Sequence, residues 1–283
     1  MDYAIQKSQL ASDLLAETLE ALATCYAALG MQLYVVGAAA RDLAMTLLHE
    51  TPAPRRTLDL DVAVLLEDWS QYQRLTDVLL QHHFEKQPAR QRFLYRGPQG
   101  QNRYEVDIVP FGGIARDGLV AWPPEGSPVM SVRCFAEVMR HADTVTVDDR
   151  FSLRLAPLSG QWLIKLDAWT DRHLSTRKDA GDMYYIMDNA FTAFALSRPC
   201  LSPMVDIEAT TFDPLVAGAE WIADDLRGIL TSGQRQYYAD LLKAEADQED
   251  ASPLIDNMLD YAGTSRYQPI LRALGRMAEI LAI

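Results

Sequence analysis

From residue 58 to residue 66 the chain reads Leu-Asp-Leu-Asp-Val-Ala-Val-Leu-Leu, an alternation that an extended strand satisfies and a helix does not. Successive strand side chains point to opposite faces, so Leu58, Leu60, Val62 and Val64 share one face while Asp59, Asp61 and Ala63 share the other. The apolar face demands burial, which makes this a central strand. The two acids then stand side by side on the opposite face. A second apolar strand, Arg103–Val109, carries Asp107 between Val106 and Ile108. A carboxylate in such a strand costs free energy unless something pairs with it.

Around these strands the pattern runs from a helix, through α/β alternation, to helices only. The N-terminal stretch is polar and helical, with apolar positions at helical spacing over 4–29 (Leu14, Leu15, Leu19, Leu22, Tyr26) and a stop at Gly30. Leu33–Val36 is a short apolar strand closed by Gly37, and Ala38–His49 continues as a helix. Thr51–Arg56, with two prolines, reads as a loop. Residues 68–83 read as a helix, and Gln91–Arg96 with Arg103–Val109 as a strand pair turning at Gly97–Gly100. Gly112–Pro128 reads as a loop, and Val145–Val147 with Phe151–Leu155 as a hairpin around Asp148-Asp149. Helices are expected near 158–172, 177–191, 218–231, 234–247, 253–263 and 267–281. The expected class is α+β: residues 1–156 form a small core on a mixed sheet behind the N-terminal helix, and residues 157–283 form a helical domain.

Charge narrows the function. The 283 residues hold 26 Lys and Arg against 39 Asp and Glu, a formal charge of −13, which argues against coating nucleic acid. Residues 201–283 hold 14 acids and 6 bases, whereas Lys86–Arg103 holds five bases and no acid, so a local polyanion site is compatible and an extended one is not. No apolar run approaches the roughly 18 residues of a membrane span, and the N-terminus lacks an apolar signal core. Cys25, Cys134 and Cys200 form neither a zinc spacing nor a disulfide framework, which fits a reducing cytoplasm.

The three strand-borne acids suggest a chemistry. Carboxylates converging on one face repel each other unless a cation neutralises them. Oxygen-only ligands favour Mg²⁺ or Mn²⁺, which bind one or two carboxylates together with substrate phosphates. Two ions about 3.5–4 Å apart would stabilise both oxygens of an in-line phosphoryl displacement. Asp107 is the candidate to stand near the attacking hydroxyl. The glycine turn after Val36 offers a helix start that suits a phosphate.

In order, Gly37-Ala38, Arg41-Asp42 on the following helix, Thr57–Val62 around Asp59 and Asp61, and Glu105–Ile108 around Asp107 resemble the polymerase-β-type nucleotidyltransferase superfamily. Further on, Lys165, Arg172, Lys178-Asp179 and Asp182 are similar to the motifs of AbiEii/AbiGii-type toxin nucleotidyltransferases, including the MenA-like toxins. The resemblance spans roughly residues 30–190. It implies that Asp59 and Asp61 hold both metal ions, and that Asp107 completes one site and orients the nucleophile. It also implies that Gly37 and Ala38 approach the phosphates, and that Arg41, Lys165, Arg172, Lys178, Asp179 and Asp182 complete a nucleotide cleft. Ala38 departs from the family's Ser or second Gly; it keeps the N–H but has no hydroxyl.

The implied reaction moves a nucleoside monophosphate from an NTP to an acceptor hydroxyl. The acceptor is a tRNA 3′ end, with a cognate antitoxin as partner, or a small molecule as in antibiotic-modifying relatives. A degenerate module that binds NTP without turnover is the non-enzymatic alternative. Asp179 falls on the apolar stripe of its helix, where pairing with Arg172 or Lys165 is the structural alternative to a nucleotide role. The adjacent His82-His83 cannot both face one metal from a helix, and Tyr184-Tyr185 and Tyr237-Tyr238 suit packing. The basic residues of 86–103 suit either steering of a polyanion or an exposed hairpin.

Overall fold

A computed structural model describes residues 2–48, 59–98, 100 and 103–283. The expected loop over Thr51–Arg56, together with Thr57, Leu58 and part of the 97–102 turn, lies outside the described residues. The chain forms two compact units: Met1–Ala44 with Ala53–Pro157, and Met45–Pro52 with Leu158–Ile283.

In chain order the first elements are β1 (Asp2–Ile5), α1 (Asp13–Ala28), β2 (Tyr34–Val36), α2 (Gly37–Leu47), β3 (Asp59–Leu65) and α3 (Trp69–Gln81). Then come β4 (Phe84–Lys86), β5 (Arg92–Tyr95), β6 (Tyr104–Phe111), β7 (Leu119–Ala121), β8 (Val129–Ser131), α4 (Phe135–Arg140), β9 (Asp143–Val147) and β10 (Phe151–Leu155). Eight strands make one mixed sheet in the order β1-β9-β10-β2-β3-β6-β5-β4, and β7 pairs with β8 separately. β3 is central: it runs antiparallel to β2 and parallel to β6. Its apolar face is fully buried at Leu60, Val62 and Val64, as the alternation requires.

Local signals account for most boundaries. The Ser12 hydroxyl accepts from the Leu15 N–H at 3.1 Å and starts α1, which ends before Gly30 at φ +67°. The Asp68 carboxylate accepts from the Gln71 N–H at 3.0 Å and starts α3. Asp148 and Asp149 both take positive φ, 50° and 55°, the geometry of a tight β9–β10 hairpin turn.

Several departures concern the first unit. The N-terminus is not helical from residue 4: Asp2–Ile5 is a strand pairing in parallel with β9, from Asp2 opposite Thr144 to Ile5 opposite Val147. Its partner lies some 140 residues away, beyond any local pattern. Residues 112–128 are not all loop, since they contain β7. The short elements β4, β8 and α4 have no periodic signature long enough to read.

The second unit holds α5 (Leu158–Arg172), α6 (Lys178–Ser197), α7 (Pro214–Ile229), α8 (Ser232–Asp247), α9 (Pro253–Ala262) and α10 (Tyr267–Ala282). Asp213 caps α7 ahead of Pro214, Thr231 and Gln234 form a capping box on α8, and Ser252 caps α9 ahead of Pro253. α6 runs six residues beyond 191 and α7 begins four residues before 218. The chain is thus α+β, with a mixed sheet followed by helices. Among the described residues no helix is long and apolar enough to cross a membrane.

Candidate functional site

The parallel register of β3 and β6 sets Asp59 opposite Glu105 and Asp61 opposite Asp107. Residues two apart on a strand share a face, so four carboxylates occupy one face at the middle of the sheet. The opposite face is core: Leu60, Val62, Val106 and Ile108 are fully buried. Glu105 is not among the acids that the sequence pattern singles out, although its spacing of two from Asp107 is a signal that could have found it.

The start of α2 closes against this face. β2 is antiparallel to β3, with Val36 opposite Asp61, and the next residue, Gly37, takes φ +70°. A β-carbon on Gly37 would lie 2.1 Å from Asp61 Oδ2 and 2.8 Å from its Cγ. Only glycine allows both that backbone angle and that approach. The Asp61 carboxylate therefore sits beside a helix N-terminus, whose dipole favours negative charge.

Arg92 meets the same acids from β5. It stands opposite Asp107 in the antiparallel β5–β6 register. Its Nε donates to Asp107 Oδ1 at 2.8 Å, one terminal nitrogen donates to Oδ2 at 2.9 Å, and the other donates to Glu105 at 2.8 Å. The hydrogen bonds to Asp107 hold the guanidinium above its ordinary titration range. The charges of Asp107, Glu105 and Asp59 act in the same sense, against a partial burial that acts the other way. In the sequence Arg92 is one base among five, because its place on Asp107 depends on the strand pairing.

Two further candidates stand on α2. Arg41 is buried, 4% exposed, and bonds Asp42 through Nε at 2.9 Å and a terminal nitrogen at 2.7 Å. Ala38 is half-buried in the first turn of α2.

The oxygen donors of Asp59 and Asp61 suit a magnesium-type ion by chemistry, and that ion needs only one or two carboxylates beside a substrate's phosphates. Asp107 meets Arg92 with both of its oxygens, so an ion held there would share them with the guanidinium. Among the described residues no group of three or more His, Cys, Asp or Glu is gathered as for a metal. Asp59, Asp61, Glu105 and Asp107 thus share one face, with Arg92 paired to Asp107 and Glu105.

The remaining candidates lie in the helical unit, where α5 and α6 meet through charge. Asp179 is fully buried and accepts from Arg172 Nε at 2.7 Å and from a second Arg172 nitrogen at 2.8 Å, with Lys165 Nζ at 3.4 Å. Lys165 also pairs with Asp182 at 2.8 Å. Burial pushes the Asp179 carboxyl up, but the Arg172 hydrogen bond and the charges of Lys165 and Arg172 outweigh it and hold the group below its ordinary value. Lys165, Arg172, Asp179 and Asp182 thus form the helix–helix ion network that was the structural alternative to a nucleotide role. Lys178 is exposed at the first position of α6. Tyr238 is buried with its hydroxyl on Asp167, at 3.0 and 2.9 Å from the two carboxylate oxygens, a packing role.

Comparison with protein-family models and with curated proteins gives no match.

Proposed function

We propose that the chain is a metal-dependent nucleotidyltransferase. The observation that carries this reading is the placement of Asp61: against the α-carbon of Gly37 at the start of α2, two residues from Asp59, and opposite Asp107 across the β3–β6 register. The resemblance of these same motifs to the polymerase-β-type superfamily supports it.

In the proposed reaction an acceptor hydroxyl oxygen bonds to the α-phosphorus of an NTP, the bond to the bridging oxygen breaks, and pyrophosphate leaves. The hydroxyl proton passes to solvent. Asp59 and Asp61 would hold a Mg²⁺ or Mn²⁺ ion, whose charge neutralises the triphosphate and polarises it toward attack. The backbone N–H groups of Gly37 and Ala38 would approach the phosphates at the helix start, a role that needs no side chain. Asp107, fixed by Arg92, would accept a hydrogen bond from the acceptor hydroxyl and orient it.

The toxin resemblance favours a tRNA 3′ end as acceptor and a cognate antitoxin as partner. The net charge of −13 favours a small-molecule acceptor instead. Salt separates the two, since transfer to tRNA weakens steeply as salt rises and transfer to a small molecule does not.

The test follows pyrophosphate release and label transfer from each of the four NTPs with Mg²⁺ or Mn²⁺, in bulk tRNA or in buffer. Label entering tRNA in wild type, abolished by Asp59→Asn with Asp61→Asn, is the expected result. Full activity in that double variant would overturn the assignment. NTP binding without release from any base would leave a degenerate binding module in its place.

A further inference from the structure

We infer that the helical unit carries a ligand site of its own, independent of the transferase reading. It takes an uncharged ligand that presents an N–H and an acceptor on one edge, as a nucleobase or a primary carboxamide does. The site is a cavity of about 420 Å³ between the end of α5 and the start of α9. His173, Leu174, Arg177, Asp250, Asp256 and Asn257 are among its walls.

Trp169 fixes what two of these walls offer. Its indole N–H can only donate, so the Asn257 atom it meets at 3.2 Å is the amide oxygen. The amide nitrogen is left over, with two donors and no hydrogen bond among the described residues. Asn257 is 5% exposed, and a buried amide nitrogen without a partner costs free energy that a ligand would recover. The Trp169 carbonyl can only accept, so His173 Nδ1, 3.1 Å away, carries a proton. In the neutral ring Nε2 then holds a lone pair, and it too has no partner among the described residues. The imidazole is stacked on the indole with 4.6 Å between ring centres, which limits its rotation. One tryptophan thus presents a donor and an acceptor to the same cavity.

The remaining walls set the charge of the ligand. Asp250 and Asp256 are acids, and Arg177 is paired with Asp256 and Asp260, so the lining carries a negative surplus. A helix start ordinarily favours an anion, but that of α9 is already served. Pro253 has no N–H, the Leu254 N–H donates to Glu245 at 3.2 Å, and the Ile255 N–H donates to Ser252 Oγ at 3.1 Å. An uncharged ligand suits this lining. A trans peptide group points its N–H and C=O in opposite directions and cannot offer both on one edge. An adenine edge, with its amine beside a ring nitrogen, can, and so can a primary carboxamide.

Titration of the full chain, followed by the NMR signals of the Asn257 side-chain amide and the His173 ring, tests the inference at the site itself. The probes are adenosine and benzamide, each beside an analogue without the N–H donor: purine riboside and N,N-dimethylbenzamide. Saturable movement of both signals with adenosine or benzamide is expected, and the probe that binds identifies the source of the edge. Its analogue is expected to bind at least about tenfold more weakly. His173→Phe keeps a stacked ring and removes the acceptor, and is expected to weaken binding by about tenfold. Asn257→Asp, which turns the donor into an acceptor, is expected to lose binding, and His173→Phe still decides the matter if that variant does not fold. No saturable movement with either probe would overturn the inference, as would equal affinity for probe and analogue or unchanged affinity in His173→Phe. A neutral His173 ring protonated at Nε2 would overturn it as well. Each of these outcomes leaves the transferase reading standing, because that reading rests on Asp59, Asp61 and Asp107 in the other unit.

Discussion

The α-carbon of Gly37 and the carboxylate of Asp61 are in direct contact: a β-carbon on residue 37 would stand 2.1 Å from Asp61 Oδ2. The contact joins the end of β2 to the middle of β3 and places a negative charge at the first turn of α2. Gly37→Ala is expected to force Asp61 aside and to strain a backbone held at φ +70°. The cost is about 1–3 kcal/mol of stability, and nucleotide transfer falls more steeply than the melting temperature. Thermal denaturation and pyrophosphate release, measured on one preparation, check both. Unchanged values of each would show that the contact is slack.

Gly218 provides the corresponding test in the helical unit. A β-carbon there would lie 2.2 Å from the Met187 carbonyl oxygen, where α7 crosses α6. Alanine gains about 1 kcal/mol over glycine in a helix interior, but a backbone carbonyl cannot swing aside as a side chain can. Gly218→Ala is therefore expected to destabilise, by about 1–3 kcal/mol in denaturant titration. A stabilised variant would mean that α6 and α7 can separate freely.

Asp179 links stability to acid. Its carboxyl titrates below the ordinary 3.8, so the folded form releases its proton more readily than the unfolded chain. The stability this supplies is fully present above about pH 4 and is lost as pH falls through the lower, folded value. Asp179→Asn is expected to cost about 3 kcal/mol at neutral pH, toward the low end for a broken buried pair, because Arg172 is half exposed and can rehydrate. The variant also loses part of the acid-induced fall, so unfolding curves of the two proteins converge as pH falls below about 4.

Lys86 should be unusually nucleophilic. Its Nζ lies 4.2 Å from the centre of the Phe93 ring and 5.3 Å from that of Tyr72, and it donates to the Arg90 carbonyl. Burial, with a contribution from the charge of Arg90, brings its pKa down from 10.5 to about 8. At pH 8 about half of it is neutral, against under one per cent of an ordinary lysine. An amine-acylating reagent at that pH is expected to modify Lys86 ahead of Lys7, Lys178 and Lys243, as read by peptide mass spectrometry. Equal labelling of all four would contradict this.

Much of the candidate face is legible in the sequence. The alternation around Asp59 and Asp61 places both on one side of a buried strand, and Val106 and Ile108 mark Asp107 as an acid in similar company. The helices expected near 158–172 and 253–263 are found at Leu158–Arg172 and Pro253–Ala262, with Pro253 and Gly263 bounding the second. These features are local, since a strand's period of two and a helix's of 3.6 are fixed by backbone geometry over a few residues.

The partners of those acids are not legible there. Arg92 reaches Asp107 because β5 folds back on β6 in one register, and a shift of one residue would turn the guanidinium to the opposite face. β1 is a strand because β9, far along the chain, offers it hydrogen bonds. Arg172 closes on Asp179 because α5 and α6 pack together, so the acid on the apolar stripe of α6 is ion-paired. By itself, then, the sequence determined which side chains share a face, because that follows from the local geometry of each strand and helix. The tertiary structure decided what neutralises each charge, because partners are chosen by pairing between distant segments, whose register no single segment contains.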